Sequence, residues 1–410
     1  MGVRPGVIGV DVARVRGLYP TLATRTAQLD GSFAALQPES VIRAVIATLR
    51  SAPAQPGSRS SRSQQSATRV LRARRAVADL VRADPADVVL GQSAGSLLQR
   101  FVSLLASDWQ LGDEIVLNRL DADLVTQPFT RAARNRGTVV RWAEVDLDTG
   151  DVPAWQYDEL VGRRTRVVTV SLANPATGTV PDVRAIADLA HEQGALVVVD
   201  AGVAPLYAPI DTEALGADLL AVSATVLGGP TAGAVVARPG LLDELGELDD
   251  APAAERSALQ RFENFPLPVE LLDGVTAAVD HLADLDENPE GTRRDRLVRS
   301  VTASARYAGG LFAHLDAELR ELPGVTVLGA SERALPVTAY TVAGCSPDEV
   351  GAFLQRHDVS VWTGASGLSE VLRAFGADEF GGAVFLGVMP HTTAGEVEQF
   401  VDAMRQLCRR

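Results

Sequence analysis

Ala195-Leu196-Val197-Val198-Val199-Asp200 is the stretch whose reading decides the fold. Successive side chains of a strand point to opposite faces, so the unbroken run Leu196–Val199 needs apolar cover on both sides. That condition is met inside a mainly parallel sheet sandwiched between helices. The run ends in a carboxylate, and ligands of open α/β sheets sit at the carboxyl ends of strands, so Asp200 is placed to face a bound molecule. The alternative is a carboxylate that accepts backbone N–H groups of the loop that follows.

Outward from this run, β-rich segments alternate with helical patterns. Strands are predicted at Asp87–Leu90, Glu114–Asn118, Thr138–Trp142, Arg166–Ser171, Leu219–Ser223 and Gly233–Ala237. Ser51–Thr68, rich in Ser, Gln, Pro and Gly, reads as a long surface loop that leads into a helix from Arg69 to Arg82. Arginines 69, 72, 74, 75 and 82 along that helix are either an anion site or a solvated face. Beyond 240 the pattern becomes long helices near 267–284 and 292–320, then short strands at Val325–Leu328, Pro336–Val342, Ser360–Trp362 and Ala383–Val388. The fold class is therefore α/β: a large domain with a mainly parallel seven-stranded sheet, plus a smaller α+β C-terminal domain. The expected division is an N-terminal segment 1–30 packing on the small domain, a large domain 31–260 and a small domain 261–410.

Composition narrows the chemistry. Of 410 residues 46% are hydrophobic, enough for a large core, yet the longest apolar stretches, around Ala195–Val199 and Ala234–Ala237, fall short of the roughly 20 residues that a spanning helix needs. Asp11 and Arg14 interrupt the apolar segment that a secretory signal requires, so a soluble, cytoplasmic protein with no membrane partner is expected. Cys345 and Cys408 are too few for a disulfide framework. The histidines, at 191, 281, 314, 357 and 391, come no closer than 314 − 281 = 33 positions, which leaves no local metal motif. Lys plus Arg totals 38 and all 38 are arginine, so the chain contains no lysine. A mechanism that needs a side-chain amine, such as a Schiff base, has no nucleophile here. A net charge of −14 argues against a nucleic-acid partner.

Three constellations remain. Gly91-Gln92-Ser93-Ala94-Gly95 falls between a strand and a helix, where a G-x-S-x-G turn makes Ser93 a strained nucleophile, with Asp200 and His391 available as partners. The same residues equally make an anion cup at a helix start. Asp200 is the second. Ser223-Ala224-Thr225-Val226-Leu227-Gly228-Gly229-Pro230 is the third, either a phosphate cradle or a plain turn into Ala234–Val236.

Taken in this order, the pieces resemble the class V aminotransferase and cysteine desulfurase family, fold type I enzymes that use pyridoxal phosphate (PLP). The resemblance runs from Gln28-Leu29-Asp30-Gly31 through Gly112-Asp113-Glu114-Ile115, Asn174-Pro175-Ala176-Thr177-Gly178-Thr179 and Gly216-Ala217-Asp218 to Arg261-Phe262-Glu263 and Val361-Trp362-Thr363-Gly364. It implies that Asp200 pairs with the pyridine nitrogen, that Asn174 lies near the cofactor hydroxyl, and that Ser223 and the Gly91–Ser93 turn, with Gln92, fall where phosphate is held; Thr225 is also counted among the cofactor-side residues. It also exposes departures. Thr225 and Val226 stand where the family carries its His and Schiff-base Lys, Asp123 where a His stacks on the ring, and Val203 where a Gln follows the cofactor Asp. Gly367 falls near the sulfur-accepting Cys, the Gly-Thr expected after Arg261-Phe262-Glu263 is replaced by Asn264-Phe265-Pro266, and no arginine lies between Arg373 and Arg405 to bind a substrate carboxylate.

Fold does not carry function, and these positions fail together. The expectation is a homodimeric family member without Schiff-base catalysis, with no covalent cofactor and no metal, serving as a metabolite-binding or regulatory scaffold. By resemblance the dimer would set the cleft near Ser51–Thr68. The alternatives are an enzyme that holds PLP or its amine form, PMP, without a covalent bond, and a serine hydrolase acting through Ser93.

Overall fold

The computed structural model describes residues 10–33, 35–246, 258–263, 266–329, 334–365 and 367–409. Its strands are β1 (Ala27–Gln28), β2 (Val88–Gly91), β3 (Glu114–Asn118), β4 (Val139–Ala143), β5 (Thr165–Ser171), β6 (Leu196–Asp200), β7 (Leu219–Ser223), β8 (Gly233–Ala237), β9 (Val325–Val327), β10 (Val337–Val342), β11 (Val359–Ser360), β12 (Trp362–Gly364) and β13 (Ala383–Gly387). The run Leu196–Asp200 lies in the middle of a seven-stranded sheet ordered β2-β8-β7-β6-β5-β3-β4. Within it β8 alone runs antiparallel to its neighbours.

Alternation along β6 places Val197 and Val199 in one apolar layer and Val198 in the other, and all three are fully buried. Each contributes roughly 2 kcal/mol from burial, which is why the run forms a central strand and not a surface one. The antiparallel β8 depends on a glycine. Gly233 lies beside Gly91 of β2 and Ser223 of β7, and a Cβ there would stand 2.1 Å from the backbone nitrogen of Ala94. Only a bare backbone lets the helix Ala94–Leu105 start directly against the sheet.

A second sheet, antiparallel and ordered β12-β13-β10-β9, is packed with the helices Pro347–Gln355 and Ala394–Leu407. Ala27 and Gln28 pair in parallel with Val359 and Ser360, and Arg16 forms a 2.8 Å ion pair with Glu396.

Two segments differ from the sequence reading. The helix expected from Arg69 begins at Ser61, where the Ser60 hydroxyl accepts the Ser63 N–H at 3.3 Å. Its polar first turn is held locally, the Ser63 hydroxyl donating to the Gln55 carbonyl at 2.8 Å and accepting the Ser58 N–H at 2.9 Å, while the helix as a whole packs against the helix Val269–Ala283, so tertiary contact overrides the loop-like composition of residues 61–68. Arg69, Arg72 and Arg74 are paired with Asp273 and Glu263, and Arg82 with Asp211, instead of forming a free anion site. The single strand expected at Ser360–Trp362 is two, split at Val361, one half pairing with β1 and the other with β13. Among the described residues no helix is long and apolar enough to cross a membrane.

Because a methyl group at 233 would press on backbone and not on a flexible side chain, Gly233→Ala is expected to destabilise the fold by about 2–3 kcal/mol. Urea denaturation of the variant checks this; an unchanged midpoint would contradict the close approach.

Candidate functional site at the carboxyl ends of the large sheet

β2, β3, β5, β6 and β7 run in one direction, so the loops after them emerge at one end of the sheet. Those loops carry Gln92 and Ser93 after β2, Asp123 after β3, Asn174 after β5, Val203 after β6, and Thr225 and Val226 after β7. Gly367 is drawn to the same end, because its carbonyl accepts the Asp123 N–H at 2.8 Å. The sequence-predicted residues are thus gathered by topology, but their side chains are engaged in different ways.

Asp200 is 7% exposed and accepts the Gly202 N–H at 3.2 Å. Burial pushes its carboxyl up to about 6. Beside it lies a group that the sequence reading missed. Asp121 is wholly buried, accepts the Asn118 N–H at 3.2 Å and the Thr169 hydroxyl through Oδ2, and has no partner for Oδ1. Burial, with a smaller contribution from the Asp200 charge, raises its carboxyl to about 7. Tyr157, 3.0 Å from Asn118 Nδ2, closes this polar cluster from below. The sequence carries a signal for it, since Asp121 follows the end of β3 closely, but one acidic residue in a loop does not show that it is buried.

On the other side of Asp200, Ser223 Oγ and Thr225 Oγ1 lie 2.8 Å apart. Gly91, Gly233 and Ser223 are lateral neighbours, so the start of the helix Ala94–Leu105 and this hydroxyl pair are separated by two strand spacings, about 10 Å. Gln92 is exposed at that rim.

Three of the sequence-predicted side chains are used within the fold. Asn174 is buried with its amide donating to the Leu120 carbonyl at 2.5 Å and its oxygen accepting the Ala176 and Thr177 N–H groups at 2.7 and 3.2 Å, so it holds its own loop. Val203 is a core residue. Asp123 accepts the Ser369 N–H at 3.0 Å and the Ser369 hydroxyl at 2.7 Å, which ties the start of the helix Ser369–Ala374 to the large sheet. The strained serine turn is a correction. Ser93 has an extended backbone (φ −162°), and its hydroxyl accepts the Ser96 N–H at 3.1 Å as a helix cap. His391, its expected partner, is packed elsewhere, so no triad assembles. Asn264, Phe265 and Ser366 lie outside the described residues.

Val226 borders a cavity of about 20 Å³ lined by Tyr19, Leu206, His281, Met389 and His391. Tyr19 Oη lies 2.8 Å from His281 Nε2, and its ring meets the His391 ring edge-on at 4.9 Å. Burial depresses both imidazoles, His281 to about 4 and His391 to about 3, so both are neutral near pH 7. His391 Nδ1 has no hydrogen-bond partner. Their wide separation in sequence hid this pairing.

A family model described as aminotransferase class-V matches residues 28–400. An uncharacterized protein of Mycobacterium tuberculosis (strain CDC 1551 / Oshkosh) is 38% identical over 398 residues, covering 97% of this chain and 99% of that protein. A probable cysteine desulfurase of Mycolicibacterium paratuberculosis is 28% identical over 318 residues, which cover 75% of this chain and only 44% of the relative, so the chain spans less than half of that protein. Among solved structures, the apo cysteine desulfurase of Thermococcus onnurineus NA1 superposes with a TM-score of 0.84 at 21% identity, over 100% of both chains, a likeness of fold.

The neutral histidines generate a pH prediction. Between about pH 6.5 and about pH 3 the unfolded chain protonates His391 while the folded chain does not. Stability from this group is therefore complete above about pH 6.5 and is lost as the pH falls, by on the order of 4 kcal/mol across the window. In urea titrations the acid decline should be shallower in His391→Phe than in the native chain; equal slopes would refute the assignment.

Proposed function

The chain belongs to the class V aminotransferase family, and we propose that it has left the family's covalent chemistry while retaining the cleft, as a homodimeric cytoplasmic protein that binds a pyridine phosphate such as PLP non-covalently. The observation that carries this reading is Val226, at the position of the Schiff-base lysine in a chain with no lysine anywhere. An aliphatic side chain neither attaches a cofactor nor moves a proton at a substrate carbon.

The residues present suit a non-covalent ligand. Asp200 closes a buried strand end with a carboxyl that a protonated ring nitrogen can pair with. Ser223 and Thr225 present two hydroxyls, and the helix Ala94–Leu105 presents backbone N–H groups, toward a phosphate. Asp123 is tied to Ser369 and is not available to stack on a ring. When bound, PLP supplies an electron-accepting ring; this chain's residues hold it, orient it and fix the charge of its nitrogen. A ligand held without chemistry suits a metabolite sensor or a regulatory scaffold.

A second reading, an enzyme acting on non-covalently held PLP or PMP, is favoured by one observation. His281 and His391 line the cavity that Val226 borders, and His391 Nδ1 has no partner there, so an imidazole stands close to the position of the missing amine. The serine-hydrolase alternative is set aside, because Ser93 caps a helix on an unstrained backbone.

Titration of the purified chain with PLP, followed by absorbance and thermal shift, tests the proposal. The expected result is a rise in melting temperature with a free-aldehyde spectrum, and Asp200→Ala should abolish the rise. Borohydride treatment should leave no pyridoxyl adduct except on the N-terminal amine, whereas Val226→Lys should acquire one at 226. An adduct elsewhere on the native chain would overturn the loss of covalent chemistry. The absence of any thermal shift would overturn the pyridine-phosphate ligand, and a monomer in sedimentation would overturn the homodimer.

A further inference from the structure

We propose that the corner formed by the amino ends of β3, β4 and β5 is a docking surface for a partner protein, held through an acidic segment of that partner that also carries aliphatic side chains. The corner lies at the end of the large sheet opposite the cleft, so the proposal does not depend on what the cleft binds.

Three segments build the corner, and backbone hydrogen bonds fix them to one another. The Gly112 N–H donates to the Gly137 carbonyl at 3.5 Å, the Val139 N–H to the Asp113 carbonyl at 2.8 Å, and the Glu114 N–H to the Arg164 carbonyl at 2.8 Å. Residues 111–114 therefore stand between the end of the helix Asp123–Arg136 and the loop that precedes β5. Gly137 closes that helix in the left-handed region (φ +69°), and a Cβ there would stand 2.8 Å from Leu111 Cδ1. Leu111 thus lies on the bare backbone of the helix end. On its other flank, Arg164 Nη1 lies 3.5 Å from where a Cβ on Gly112 would be.

Leu111 is 88% exposed, more than any other large hydrophobic side chain among the described residues. Val139, two residues past Gly137 at the start of the outermost strand, is 49% exposed. A lone exposed leucine is ordinary; its setting here is not. Arg131, Arg134, Arg136, Arg163 and Arg164 are exposed, and no carboxylate of the described residues pairs with them, whereas Arg74, Arg119 and Arg238 are tied into ion pairs. The acids of the corner are largely taken. Asp113 accepts the Gln110 N–H at 2.7 Å and pairs with Arg166 at 2.8 Å, Glu114 pairs with Arg141 at 3.3 Å, and Asp108 is the one carboxylate left in these segments. The helix dipole favours Arg134 and Arg136 in the last turn, but it does not account for Arg163 and Arg164, which come from a separate loop. On a chain of net charge −14 this leaves a local surplus of positive charge around an apolar centre.

An apolar centre inside an arginine-rich rim is the anatomy of a protein interface. Unpaired guanidiniums select carboxylates, which they bind through paired hydrogen bonds, and Leu111 with Val139 selects aliphatic side chains between those carboxylates. A phosphate polymer would satisfy the arginines and leave Leu111 in water. A second copy of this chain would bring a body of charge −14 against another of the same charge. The occupant is therefore an acidic segment of a different protein.

The test uses the full chain and a fluorescein-labelled peptide of about twelve residues in which Asp or Glu alternates with Leu, followed by fluorescence anisotropy. The native chain should bind it with an affinity that falls as salt rises. Leu111→Ser should weaken binding about tenfold, and Arg136→Ser and Arg164→Ser about threefold each, with a shallower salt dependence. A peptide whose leucines are replaced by serine should bind about tenfold more weakly to the native chain. Arg164→Glu, a charge reversal on an exposed side chain, should abolish binding and keeps the test decisive if Leu111→Ser does not fold. Arg59→Ser combined with Arg75→Ser, exposed arginines outside the corner, should leave affinity within about twofold. If that control weakens binding as much as Arg164→Ser does, or if Leu111→Ser and the serine peptide bind as tightly as the originals, the corner is only a solvated charged face. Absence of peptide binding overturns the proposal as well, as does displacement of the peptide by an RNA oligonucleotide of matched charge at equal concentration.

Discussion

Strand β6 is covered on both faces by apolar layers, and this constraint organises the molecule. A strand so enclosed offers no place for a charge along its length, because an unpaired charge in that layer would cost several kcal/mol. Polar groups are confined to the strand ends, and since six strands of the large sheet share one direction, their carboxyl ends bring loops distant in sequence to one place. The cleft is a consequence of the core, not an addition to it.

How much of this was legible follows from the range of each signal. The runs Leu219–Ser223 and Gly233–Ala237 match the observed strands to the residue, because a strand buried on both faces is written in consecutive aliphatic side chains. Asp200 was legible for the same reason, as the first charge after such a run. Residues 61–68 were not, because they extend a helix whose packing partner lies more than 200 positions away, which local composition does not encode. Nor was the Asp121–Thr169 contact, which depends on strand order, or the meeting of His281 and His391 around Tyr19. The resemblance predicted where Asn174, Val203 and Asp123 would stand, but not where their side chains would be used.

The all-arginine cation set bears on the site through geometry as well as reactivity. A guanidinium is planar and stays charged, so it pairs and stacks but does not serve as a nucleophile. Arg119 shows this use: it lies 4.2 Å from the Trp142 ring and is paired with Glu144 and Glu370, joining the large sheet to the helix Ser369–Ala374. Arg238 similarly bridges Asp218 and Glu244. Cations committed to such bridges are not free to balance charges in the cleft.

Three aspartates, Asp121, Asp123 and Asp200, surround the strand ends, and Arg119, the cation nearest to them in sequence, is turned away. A scaffold with a lysine between these strands would balance one of those charges; Val226 leaves all three to be handled otherwise. Asp123 is taken up by the N–H and hydroxyl of Ser369, which hold its charge at the rim. Asp121 and Asp200 lack such donors in sufficient number, and a buried carboxyl short of donors lowers its energy by keeping a proton. Burial raises both carboxyls, and the missing amine leaves no lysine to balance them. A cleft with no resident cation either neutralises its acids or waits for a ligand that brings, or can accept, positive charge.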